Sequence, residues 1–138
     1  MNKLDKVQEK YYEMQMINSH IEQLDNNLMQ ILEQIEEVNT ILNALDDIKE
    51  VKKENDILVP IANGIFAKAK LSENSKFVVN VGQNTLVEKN VEETKELISK
   101  QLIELEQYKE LIEKELEKLT EKAYQIEKDA DDMVKKNV

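Results

Sequence analysis

ILVPIANGIFAKAKLSENSKFVVNVGQNTLVEK, residues 57–89, is the one stretch of this 138-residue chain whose pattern is not helical. It holds both glycines, Gly64 and Gly82, and the only proline, Pro60. β-branched and aromatic runs cut by turn residues read as strands. Asn63-Gly64 carries the strongest short hairpin signal, because both central residues of a type I′ turn need positive φ. It parts a strand over 57–62 from one over 65–71. A polar loop, Ser72-Glu73-Asn74-Ser75, leads to a third strand over 77–81, and Gly82-Gln83-Asn84 turns the chain into a fourth over 85–88. The spacing predicts two β-hairpins. Ile65, Ala67, Ala69 and Leu71 alternate onto one face, and Phe66, Lys68 and Lys70 onto the other; Phe77, Val79 and Val81 also share a face.

On both sides of this insert the period is helical. A first helix is expected over 3–52, with the stripe Leu4, Val7, Tyr11, Met14, Ile17, Ile21, Leu24, Leu28, Ile31, Ile35, Val38, Leu42, Leu45. From Ile17 onward the steps alternate four and three, the heptad pattern of a coiled coil. Two successive three-residue steps, at Met14 and Ile17, predict a stammer that overwinds the coil locally. Lys49, Lys52 and Lys53 would suit the negative end of the helix dipole. A second helix is expected over 90–137, capped by Asn90 with Glu93 three residues later. Val91, Ile98, Leu105, Ile112, Leu119, Ile126 and Met133 keep one heptad position apolar throughout. The companion position reads Lys95, Leu102, Lys109, Leu116, Ala123, Ala130, Asn137, weaker at both ends. Two helices of similar length, each about 70 Å, fold back on each other through a compact insert. The expected architecture is mainly α and a single domain over 1–138. It is a long antiparallel two-helix coiled coil with a two-hairpin β insert at its closed end and both chain termini at its open end.

Composition agrees and excludes much. Charged residues make up 35% of the chain and aromatic residues 4%, which suits long helices better than a compact globule. The net charge is −10 and every basic residue is lysine. Such a chain repels nucleic acid and anionic membrane, so neither is an expected partner. With no cysteine, thiol catalysis, disulfides and Cys-ligated metal are excluded. No window is apolar enough to span a bilayer, no apolar signal core opens the chain, and a cytoplasmic protein is expected. His20 stands without the companions of a metal motif. Asp129, Asp131 and Asp132 lack the glycine and closing glutamate of a calcium loop. Glu36-Glu37 and Asp46-Asp47 point to different helix faces. The two glycines form no phosphate loop. No cofactor and no enzyme activity are expected.

A pair of hairpins cannot bury an apolar face alone, and its strand edges invite pairing. The insert therefore reads as an assembly module that joins several chains. Its expected contact residues are Val59, Ile61, Ile65, Phe66, Ala67, Ala69, Leu71, Phe77, Val79, Val81, Leu86 and Val87.

LVPIANGIFAKAKL followed by FVVNVGQNTLVEKNVEET resembles the linker of the α subunit of the prefoldin family. The likeness is carried by Val59-Pro60-Ile61, Gly64, Phe66, Lys68-Ala69, Val79, Val81-Gly82 and Val87-Glu88-Lys89, while the helices match only as coiled coil. Room for two hairpins favours the α class over the β class. The resemblance implies an ATP-independent holdase in which two α and four prefoldin β-type subunits join through a double β-barrel. It further implies that unfolded client proteins are held at the arm tips and passed to a group II chaperonin. Leu4, Val7, Tyr11 and Tyr12 from the first helix, with Met133, Val134 and Val138 from the second, are the expected client-binding residues at the open end. For Leu4, Val7 and Tyr11 the bland alternative is plain seam; Tyr12 and Val134 lie off it. A structural spacer, a filament-forming subunit or a docking arm without client binding are the competing readings.

Overall fold

A computed structural model describes residues 2–135 of the chain. Two long helices carry two small antiparallel hairpins between them: α1 (Lys3–Ile48), β1 (Asp56–Ala62), β2 (Ile65–Lys70), β3 (Lys76–Asn80), β4 (Leu86–Asn90) and α2 (Val91–Lys135). Contacts divide the chain into two compact units. One joins Met1–Gln34 with Leu105–Val138; the other is Ile35–Glu104.

In the first unit the two helices run antiparallel, so that residues 10–21 face residues 120–131. Its core is a narrow seam of Ile17, Ile112, Ile126 and Ala130, all buried. Asn2 caps α1, its Oδ1 accepting the Asp5 N–H at 2.8 Å. The seam corrects the expected stammer. Lys3, Val7, Lys10, Met14, Ile17, Ile21, Leu24 and Leu28 are buried or half-buried at steps that alternate four and three without a break, and Asn27 beside Leu28 is half-buried too. Two of the inward positions near the start of α1 are thus lysines, Lys3 and Lys10, whereas Leu4 and Tyr11 are 65% and 56% exposed. Heptad phase outweighs hydrophobicity here, because a lysine stem can lie along the seam while its ammonium reaches water.

In the second unit Val38, Leu45, Val91 and Thr94 are buried where the end of α1 meets the start of α2. The capping box forms as expected: Asn90 Oδ1 accepts the Glu93 N–H at 2.8 Å, and Glu93 Oε1 accepts the Asn90 N–H at 3.1 Å. α1 stops at Ile48, four residues short of the expected end, and Asp47–Val51 leaves it in turns. Lys49, Lys52 and Lys53 therefore do not sit in its last turn. Lys49 reaches Glu92 at 3.0 Å, and Lys53 reaches Glu73 at 3.6 Å. Lys95, half-buried at a seam position, pairs with Asp46. That contact holds the Asp46 carboxyl below the usual aspartate range and raises the Lys95 ammonium.

The hairpins form two separate two-stranded sheets, β1–β2 and β3–β4. Asn74 Nδ2 donates to the Val51 carbonyl at 2.9 Å, tying the loop between them to the exit of α1. The turns differ from expectation. At Asn63-Gly64 only Gly64 has positive φ, and the register shifts between Pro60 and Ala62, leaving Ile61 as the extra residue of a bulge. A turn closed by a left-handed glycine with one bulged residue is another common way to end a hairpin. The type I′ signature lies in the second hairpin instead. Gln83 and Asn84 have φ of 50° and 60°, and the Thr85 N–H donates to the Gly82 carbonyl at 2.9 Å.

Candidate assembly and binding surfaces

Two surfaces stand out, one in each unit. The first is the pair of hairpins. Directly opposed residues of antiparallel strands share a face, so the ladder of β1 and β2 puts Ile57, Val59, Ala67 and Ala69 on one side and Leu58, Pro60, Phe66 and Lys68 on the other. In the second hairpin Phe77, Val79, Val87 and Lys89 share a side, and Val78, Asn80, Leu86 and Glu88 the opposite one. Of the expected contact residues, Ala67, Ala69, Leu71, Phe77 and Val79 are half-buried within the chain. Val59, Ile61, Ile65, Phe66, Val81, Leu86 and Val87 are exposed. Two residues were missed by the sequence reading: Leu58 and Val78, 65% and 71% exposed. Leu58 shares a face with Phe66, and Val78 with Leu86, two residues already among the expected contacts. The available signal was an apolar residue on the polar side of each strand. Each hairpin thus shows apolar side chains on both faces and an unpaired edge on both strands.

The second surface lies in the first unit. Residues 10–21 and 120–131 enclose an open groove of about 660 Å³. Ala123 and Ala130, one heptad apart on the α2 seam, line it together with Met14, Ile21 and Ile126. The small side chains leave room that a leucine would fill, which is why the groove exists. Tyr11, Lys10, Tyr124, Glu127 and Asp131 also line it. Among the expected client-binding residues only Tyr11 lines this groove; Leu4, Val7, Tyr12, Met133 and Val134 do not. Tyr12 and Val134 are exposed, Val7 and Met133 half-buried, and Val138 lies outside the described residues. Reading Ala123 and Ala130 as weak seam identified the positions but not the space between them.

The bland assignments can be placed as well. His20 is exposed. Asp129 accepts a hydrogen bond from Gln125 at 3.0 Å. Among the described residues no group of acidic or imidazole side chains is arranged to hold a metal ion, and no helix is long and apolar enough to cross a membrane.

Residues 17–136 match the family described as Prefoldin, prefoldin subunit. The chain is 37% identical over 71 residues to prefoldin subunit alpha of Thermofilum pendens, a match covering 51% of this chain and 55% of that protein. To prefoldin subunit alpha of Pyrococcus horikoshii it is 31% identical over 94 residues, covering 67% and 64%. To that of Methanococcus aeolicus it is 26% identical over 103 residues, covering 74% and 69%. The matched stretch thus spans about half to two thirds of these relatives. In fold, the chain resembles a cryo-EM structure of filamentous PFD from Methanocaldococcus jannaschii, with a TM-score of 0.74 at 23% identity, covering 82% of this chain and 93% of that one. On its matched length, its helix–hairpin–hairpin–helix order and its alpha-type relatives, the chain belongs to the prefoldin family, in its alpha class.

Proposed function

We propose that the chain is a subunit of an ATP-independent holdase. It joins prefoldin β-type subunits through its hairpins, two copies with four of the partner. Unfolded polypeptides are held at the ends of α1 and α2 that carry the chain termini. The complex passes them to a group II chaperonin in the cytoplasm. No cofactor and no catalytic group has a part in this reading. The observation that carries it is the two-sided apolar exposure of both hairpins. Leu58, Phe66, Val78 and Leu86 occupy one set of faces, and Val59 and Val87 the other. Surface of that kind on an acidic chain needs partner chains to cover it. The client end is supported by the exposure of Leu4 and Tyr11, which the expected stripe had placed on the seam, beside the exposed Tyr12.

The test is removal of residues 2–12 together with 131–138. Assembly with partner subunits should persist, and suppression of client aggregation should fall. Unchanged suppression would overturn the assignment of the client site.

A second reading follows from the filamentous relative: the hairpins pair with further copies in an open series. Growth of particle length with concentration, in the absence of any partner subunit, would favour it.

A further inference from the structure

We propose that the groove between residues 10–21 and 120–131 selects one class of unfolded segment: a large apolar side chain followed closely by lysine or arginine. The inference rests on the holding role proposed above and names the chemistry of its ligand.

Shape comes first. At about 660 Å³ the groove is within the size range of sites that bind compact ligands, roughly 300–1,000 Å³. That is room for one or two large side chains. Met14, Ile21, Ala123, Ile126 and Ala130 give it an apolar lining, and a methionine adapts to differently shaped partners. Charge then decides which segment fits. Two carboxylates, Glu127 and Asp131, line the groove against a single ammonium, Lys10. Among the described residues neither carboxylate is ion-paired with a lysine. The whole chain adds a field of net charge −10 that attracts cations and repels acidic segments. Tyr11 and Tyr124 line the groove and are both exposed, and a guanidinium or ammonium is favourable over the face of such a ring. An apolar residue fills the space left by the two alanines, and a neighbouring basic residue meets the carboxylates and rings.

The test uses the full chain in its native complex. Three unfolded peptides share one Leu/Phe core and carry flanks of lysine, serine or glutamate; their affinities are measured by fluorescence anisotropy at low and high salt. The lysine-flanked peptide should bind about five- to tenfold tighter than the serine-flanked one, from two exposed charge contacts. The glutamate-flanked peptide should bind weakest, and the differences should shrink in high salt. Glu127→Lys with Asp131→Lys should abolish or reverse the preference, the lysine-flanked peptide losing its advantage over the serine-flanked one. Both sites are exposed, so the pair leaves the seam intact. Ala123→Met should weaken all three peptides by occupying the groove. Equal binding of the three peptides overturns this inference and leaves the holding role standing; binding of none overturns both. A charge preference that survives the double reversal belongs to another surface and overturns the inference. So does a change of particle mass on Ala123→Met, which would give the groove to a second copy.

Discussion

Among the described residues, the contact between Asp46 and Lys95 is the one place where a charged side chain occupies the seam with its partner across it. A polar pair at a seam position fixes the alignment of two helices even where it adds little stability. Its pH dependence has two ends. The carboxyl's pKa is lowered in the folded chain, chiefly by the Lys95 hydrogen bond, so its contribution is complete above the ordinary aspartate value of about 3.9. It is lost as pH falls through the lowered folded value. The ammonium's pKa is raised, so its contribution is complete below about 10.4 and is lost as pH rises through the raised value. Melting curves of the wild type and of Lys95→Met should therefore differ by a constant amount across neutral pH and converge at both extremes. A difference that varies between pH 5 and 9 would contradict the assignment. The type I′ turn at Gln83-Asn84 yields a second residue-scale prediction. Glutamine is a poor occupant of positive φ, and Asn-Gly is the preferred pair there. Gln83→Asn with Asn84→Gly should stabilise the chain by about 1 kcal/mol in denaturant titration. No gain would mean that the turn is not held in that form.

Elements were legible where period and composition agreed. From Ile17 to Leu45 each expected stripe residue is buried or half-buried, and so is each described seam residue of α2 from Val91 to Met133. The capping box at Asn90 was readable because its two residues sit three apart in front of an apolar run. Asn90→Ala should accordingly cost about 1 kcal/mol, measured by thermal or chemical unfolding. Legibility failed where period and hydrophobicity disagreed. Leu4 and Tyr11 look like core and are exposed, because each lies one residue past a lysine that holds the heptad phase. Replacing Lys10 by leucine should raise stability by about 1 kcal/mol, since the substitution puts apolar surface where the seam already is. Replacing Tyr11 by lysine should leave it nearly unchanged; a large loss would restore the stammer. The hairpins show another limit. Alternation assigned their faces correctly, but it could not announce that apolar side chains stay exposed on both faces within one chain. That is a property of what the strands pack against, and Leu58 and Val78 were missed for this reason.

At the scale of the whole molecule the surfaces ask for company. Among the described residues none of the large side chains is fully buried, as expected when the core is a seam between two helices and much of the hairpin surface stays exposed. An acidic chain of net charge −10 keeps itself in solution, but it does not remove the cost of apolar strands in water. Assembly through the hairpins would cover these strands, and its most direct test is native mass spectrometry of the complex that a tagged copy brings from its own cell extract, beside a copy carrying Leu58→Asp and Val78→Asp. The wild type should appear in a closed hetero-oligomer with a second, shorter coiled-coil subunit. The double variant should appear as single chains whose circular dichroism is still helical. A variant that stays in an intact particle, or a wild type found only as an open polymer of itself, would contradict assembly into a closed particle through these faces.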